Sequence, residues 1–125
     1  MSWIVGLALA MTGAGSPLAL SCTVAGGEKA GLDPQTVCAR FVEKLSAATG
    51  RSYTLVPIEQ RSGDGMTVAI RFVGADTVAA DAVVIAAGRS RSVETRMISS
   101  SDRSLGLDSI GLLARDVARA AARSD

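Results

Sequence analysis

Two cysteines, one aspartate and a run of arginines are the residues of this chain whose types and spacing could do chemistry. Cys22 and Cys38 stand sixteen positions apart. Such a pair can close a disulfide, act as a redox couple, ligate a metal, or leave Cys22 to carry a lipid and Cys38 free. The redox reading lacks the C-x-x-C spacing that tunes a reactive thiol. The metal reading has two thiolates and, with no histidine anywhere in the sequence, too few of the usual ligands. A lipid-bearing Cys22 wants a leucine three residues upstream and a small residue two upstream, whereas Ala19 and Leu20 occupy those places. A Cys22–Cys38 disulfide is therefore the expectation, with lipidation of Cys22 and two free, buried cysteines as the alternatives.

Asp81 is the one charged residue in the apolar stretch from Thr77 to Ala87. A carboxylate on a central strand is a site candidate when burial raises its pKa. The plainer reading puts it on the solvent face, paired with Arg71 or Arg96 across a sheet. The segment "GRSRS", with Arg89 and Arg91, joins Arg96 and Arg103 as a set of guanidiniums able to grip a phosphate or carboxylate. Its plainer reading is a solvated hairpin turn, offset by Glu94 and Asp102. The sequence thus nominates Asp81, Arg89, Arg91 and Arg96 for ligand binding. No residue is nominated for catalysis. The absence of histidine removes the usual general base and the Ser-His-Asp arrangement.

Composition bounds the partners. Thirteen basic and twelve acidic residues leave a net charge of +1, too weak a field to hold a polyanion by charge alone. Outside Trp3, the aromatics are only Phe41, Tyr53 and Phe72, so stacking platforms for nucleic acid are missing. No cofactor and no metal are expected. At 125 residues and 48% hydrophobic, the chain is one domain in size.

The first charged residue is Glu28, and the stretch from Trp3 to Leu20 is apolar but interrupted by Gly13, Gly15, Ser16 and Pro17. That pattern, with Ala19 and Ser21 as small residues before Cys22, reads as an export signal over residues 1–21 followed by a single domain over 22–125. A leader retained as a membrane helix is the rival. Export places the cysteines in an oxidising compartment, periplasmic or secreted, which favours the disulfide.

The elements that must position these residues follow from periodicity. Asp33-Pro34 starts a helix running to about Ala48, with Val37, Cys38, Phe41, Val42 and Leu45 on its inward stripe. After Gly50 the period becomes two. Strands are expected at Ser52–Ile58, shortened by Pro57, then Met66–Val73, Thr77–Ala87 and Val93–Ser99, with a short strand at Leu18–Val24 as an option. "RSGDG" at 61–65 is a turn between strands, since no helix follows it to make a phosphate loop. A second helix fills the C-terminal segment, capped by Asp108, with Ile110, Leu113, Ala114, Val117, Ala120 and Ala121 inward and Arg115, Asp116, Arg119 and Arg123 outward. The expected fold is an α+β two-layer sandwich, a four-stranded antiparallel sheet with two amphipathic helices on one face, in the order helix, four strands, helix.

Two functions fit this reading. The first is an exported, non-enzymatic accessory or binding domain that acts in the cell envelope through a protein surface on an envelope partner. The second is a periplasmic binder of anionic ligands, or a small enzyme, using Asp81 and the Arg89/Arg91/Arg96 cluster. Membrane attachment enters only through a retained leader or a lipidated Cys22.

Overall fold

The computed structural model describes residues 17–60, 63–100 and 105–123. Residues 1–16 of the leader expected over 1–21, Arg61 and Ser62 of the expected turn, and Asp102 and Arg103 lie outside them. The chain runs β1 (Leu18–Ala25), α1 (Pro34–Thr49), β2 (Tyr53–Leu55), β3 (Gly65–Phe72), β4 (Thr77–Ala86), β5 (Arg89–Ser99) and α2 (Leu107–Arg123). The α+β class stands, but the sheet has five strands and is mixed, in the order β2-β1-β3-β4-β5. β1 runs parallel to both β2 and β3, while β3, β4 and β5 form the antiparallel part.

This corrects the four-stranded antiparallel sheet and the helix-first order. β1 is an inner strand with neighbours on both edges, and an inner strand needs no charged residue. The absence of charge that read as a leader is in part a property of the sheet. Leu20 and Ser21 are fully buried, and three of the seven residue pairs between β1 and β3 involve Ala19, Leu20 and Ser21. β1 thus includes Leu18 to Ser21, upstream of the expected boundary before Cys22. Parallel pairing of β1 with β2 requires a crossover, and α1 supplies it.

Both helices lie on one face of the sheet, α1 over β1 and β2, α2 over β4 and β5, and they pack against each other. The core between the layers holds Val37, Phe41 and Leu45 from α1, Leu20, Met66, Val68 and Ile70 from the sheet, and Ile110, Leu113 and Val117 from α2. The expected helix stripes are thus the buried ones. Asp33 caps α1 by accepting from the Thr36 backbone N–H at 3.2 Å, and Pro34 opens the helix. Asp108, expected as the cap of α2, lies inside its first turn, where a carboxylate still faces the positive end of the helix dipole.

One close fit joins β1 to the helix layer and another joins it to its sheet neighbour. The Cys22–Cys38 disulfide joins β1 to α1, with Cα atoms 5.9 Å apart. Its Sγ atoms are committed to each other, which leaves no thiol on Cys22 for a lipid. At the start of β3, Gly65 lies so near β1 that a Cβ there would collide with the Ala19 carbonyl oxygen.

Candidate functional site

The hairpin between β4 and β5 decides where the nominated residues go. The chain reverses at Ala87 and Gly88, both with positive φ (55° and 79°), a two-residue turn whose twist matches the strands. Asp64 steadies it by accepting from the Ala87 N–H at 3.1 Å. Arg89 and Arg91, expected in a solvated turn, therefore lie in β5, opposite Ala86 and Val84. The turn was misplaced because alanine is an unusual occupant of a left-handed position.

Successive residues of a strand face opposite sides, so the nominated residues part company. Asp81 pairs with Ala69 and lies on the face turned away from the helices. The register between β4 and β5 slips there, between Ala80 and Ala82, so that Glu94 and Thr95 together oppose Asp81. The Asp81 carboxylate accepts from the Thr95 hydroxyl and from Arg71 Nε, the latter at 3.1 Å. Both side chains of the ion pair are about half exposed, 51% for Arg71 and 44% for Asp81. The Thr95 hydrogen bond first, opposed by burial, and then the Arg71 guanidinium leave the Asp81 carboxyl below its ordinary pKa. A buried acid with a raised pKa would show the opposite. The partner is Arg71, one of the two expected for a surface pair.

Arg96 pairs with Ala80 on the helix side, three-quarters buried, and its Nη1 donates to Glu94 Oε1 at 3.3 Å. Its Nε is buried and has no acceptor among the described residues. Arg89 is exposed at the hairpin end. Arg91 lines a cavity. Its Nη2 donates to the Ala121 carbonyl at 3.4 Å, which ties it to the last turns of α2.

That cavity has a volume of about 580 Å³ and opens where α1 ends, β2 begins and α2 passes over β4 and β5. Four arginines line it: Arg51, Arg91, Arg115 and Arg119. Arg51 follows Gly50, the left-handed residue that stops α1 and donates its N–H to the Ser46 carbonyl. Arg115 and Arg119 are four apart on α2 and so share one side of it. Asp116 neutralises part of Arg119 from outside the lining, at 3.7 Å. Met66 and Val84 of the sheet and Ala118 and Ala121 of α2 supply apolar lining. Tyr53 completes the wall, half-buried, its backbone N–H donated to Ser46 Oγ at 3.1 Å. Burial pushes the Tyr53 hydroxyl above its ordinary pKa, with Arg51 pulling the other way. At neutral pH the phenol keeps its proton and can donate it. No aspartate or glutamate lines this cavity among the described residues.

Sequence reasoning named Arg115 and Arg119 only as the outer face of a helix and did not consider Arg51. The signal was present in the i, i+4 arginines of α2 and in a cation directly after the α1 stop. Linking them required knowing that the two helices lie side by side. Among the described residues no group of three or more potential ligands could hold a metal ion. No helix among them is long and apolar enough to cross a membrane.

No protein-family model matches this chain, and no curated protein matches it. Solved structures do resemble it in fold. A PelC dodecamer from Paraburkholderia phytofirmans is similar with a TM-score of 0.49 at 17% identity, over 86% of this chain and 87% of that one. The crystal structure of an uncharacterized protein is similar with a TM-score of 0.47 at 16% identity, over 86% of this chain and 89% of the other.

Proposed function

We propose that this chain is an exported, non-enzymatic binding domain of the cell envelope, and that it binds an anionic ligand in the arginine cleft. The observation that carries the ligand is the lining itself: four guanidiniums around a cavity of about 580 Å³, with no carboxylate lining it among the described residues. Charges of one sign converge at a cost unless something of opposite sign joins them, and planar guanidinium forks suit oxyanions. Of the residues nominated from sequence, this reading keeps Arg91 and replaces Asp81, Arg89 and Arg96 with Arg51, Arg115 and Arg119. The Cys22–Cys38 bond supports the compartment, since disulfides persist where the surroundings are oxidising. An export cut that spares β1 falls before Leu18.

Thermal denaturation of the full chain tests the ligand. Citrate or pyrophosphate should raise the melting temperature beyond what sodium chloride does at equal ionic strength, and Arg51→Gln with Arg115→Gln should remove the gain. If no multivalent anion protects the protein, the reading is wrong.

One observation favours a second reading, recognition through a protein surface. Among the described residues no helix covers the other face of the sheet, and Met97 on that face and Val73 at its rim are each 55% exposed. Met97→Glu and Val73→Glu would abolish binding of an envelope partner on that reading and leave anion binding intact.

A further inference from the structure

Resting on the anion-binding reading, we infer that the cleft takes a phosphate monoester carried on an apolar or aromatic body. The donors come from three separate elements. Arg51 projects from the end of α1, Arg91 from β5 beneath, and Arg115 and Arg119 from α2 above, one turn or about 6 Å apart along its axis. A carboxylate is planar and presents two oxygens, which a single guanidinium can saturate. A phosphate monoester presents three terminal oxygens arranged as a tripod, so it can accept from three sides at once. Its charge also fits better. Four guanidiniums, of which Arg119 is partly offset by Asp116, surround the space, and a phosphate monoester approaches two negative charges near neutral pH.

The size of the cavity argues for the body. A volume of about 580 Å³ lies within the range of cavities that hold whole organic molecules and is far more than a phosphate group fills. Apolar side chains share the lining with the arginines: Met66 and Val84 of the sheet and Ala118, Ala121 and Ala122 of α2. The Tyr53 ring stands at its side with a hydroxyl able to donate an additional hydrogen bond. A lining that combines guanidiniums with apolar side chains matches a ligand with a charged head and an apolar remainder.

The test uses the full chain and phenyl phosphate, followed by titration calorimetry. Phenyl phosphate should bind at least tenfold more tightly than phenyl sulfate or inorganic phosphate at pH 7.5. Binding should weaken several-fold at pH 5.0, where the ester has lost its second charge, its second pKa being about 6. The ionisable groups facing the cleft are Arg51 and Tyr53 from the α1 end and β2, Arg91 from β5, and Arg115, Arg119 and neighbouring Asp116 from α2. Arginine keeps its charge over that range, and the Tyr53 hydroxyl keeps its proton. Arg51→Gln and Arg115→Gln, both at exposed positions, should each reduce phenyl phosphate affinity about tenfold, while Arg71→Gln on the opposite face should leave it unchanged.

Equal affinity for phenyl sulfate and phenyl phosphate, with the same dependence on Arg51 and Arg115, overturns the phosphate assignment and leaves the anion cleft standing. Inorganic phosphate binding as tightly as the phenyl ester overturns the apolar body. No binding of any anion removes both this inference and the reading beneath it. A last arm separates sources of the same chemistry. Co-sedimentation with vesicles containing phosphatidic acid, but not with pure phosphatidylcholine, identifies a lipid headgroup. Phenyl phosphate binding without co-sedimentation identifies a soluble ester.

Discussion

Asp81 and Arg91 belong to adjacent strands, yet their surroundings are built on opposite electrostatic plans. Around Asp81, on the helix-free face, each charge meets its complement: Thr95 donates to the carboxylate and Arg71 pairs with it. Around Arg91, under the helices, charges of one sign gather from three elements, and among the described residues no carboxylate lines the space they share. A self-satisfied pair lowers its own free energy and has little left to offer a ligand. A cluster of like charges is held together by the packing beneath it and is relieved by binding. The contrast is a reason to seek function at the arginines and structure at the aspartate, even though the aspartate is the residue that stands out in the sequence.

The largest test of this contrast removes the staple that holds one side of the cleft. Cys22→Ala with Cys38→Ala should cost about 3 kcal/mol by the loop-entropy argument, measured by urea denaturation. The Cys22–Cys38 bond secures α1, whose last residues line the cleft, whereas Asp81 is framed by β3, β4 and β5. Amide exchange should accelerate first in α1 and β2 and later in the antiparallel hairpins. Uniform acceleration would show that the two regions share one unit of stability.

Thr95→Val deletes the hydroxyl that Asp81 accepts from and should cost about 1 kcal/mol. Asp81→Asn should cost less than about 1 kcal/mol, as suits an exposed ion pair. Its pH dependence has a definite sign. The folded-state pKa of Asp81 is depressed, so its contribution is fully present above the unfolded value of about 3.9 and fades as pH falls through the lower folded value. Wild type and Asp81→Asn should therefore differ at pH 7 and converge in strong acid. A difference that grows on acidification would refute the assigned pairing.

The smallest effect has the opposite sign and sharpens the comparison most. Arg115 and Arg119 form a like-charged i, i+4 pair, an arrangement that destabilises a helix by roughly 0.2 to 0.5 kcal/mol. Without ligand, Arg115→Gln should stabilise the protein by about that amount, and added salt should shrink the gain. Loss of stability at Arg115 would mean that the cleft is satisfied internally, like the Asp81 face.

What was legible in the sequence was local. Asp33-Pro34 marks the start of α1, the inward stripes of both helices are the buried ones, and alternation over Met66–Phe72 gives the faces of β3. Pro57 was read as confining its strand, and β2 is a three-residue edge strand that ends before it. The disulfide was expected from two cysteines and an uncharged N-terminal stretch. The insertion of β1 between β2 and β3 depends on pairings such as Leu18 with Tyr53 and Ala19 with Gly65, which no window of periodicity contains. The cleft was hidden for a related reason. A net charge of +1 records only a sum, and Arg51, Arg91 and Arg115 are brought together by topology alone.

The slip in register opposite Asp81 has one more consequence. β5 is the long outer strand of the sheet, eleven residues with β4 as its single sheet neighbour, and such a margin invites a second chain to add itself. The irregularity at Glu94 and Thr95 breaks the even spacing of backbone donors and acceptors there, and Arg89, Arg91, Glu94 and Arg96 supply charges that an incoming strand would have to bury or displace. The arginines of β5 thereby raise the cost of adding a strand at this edge.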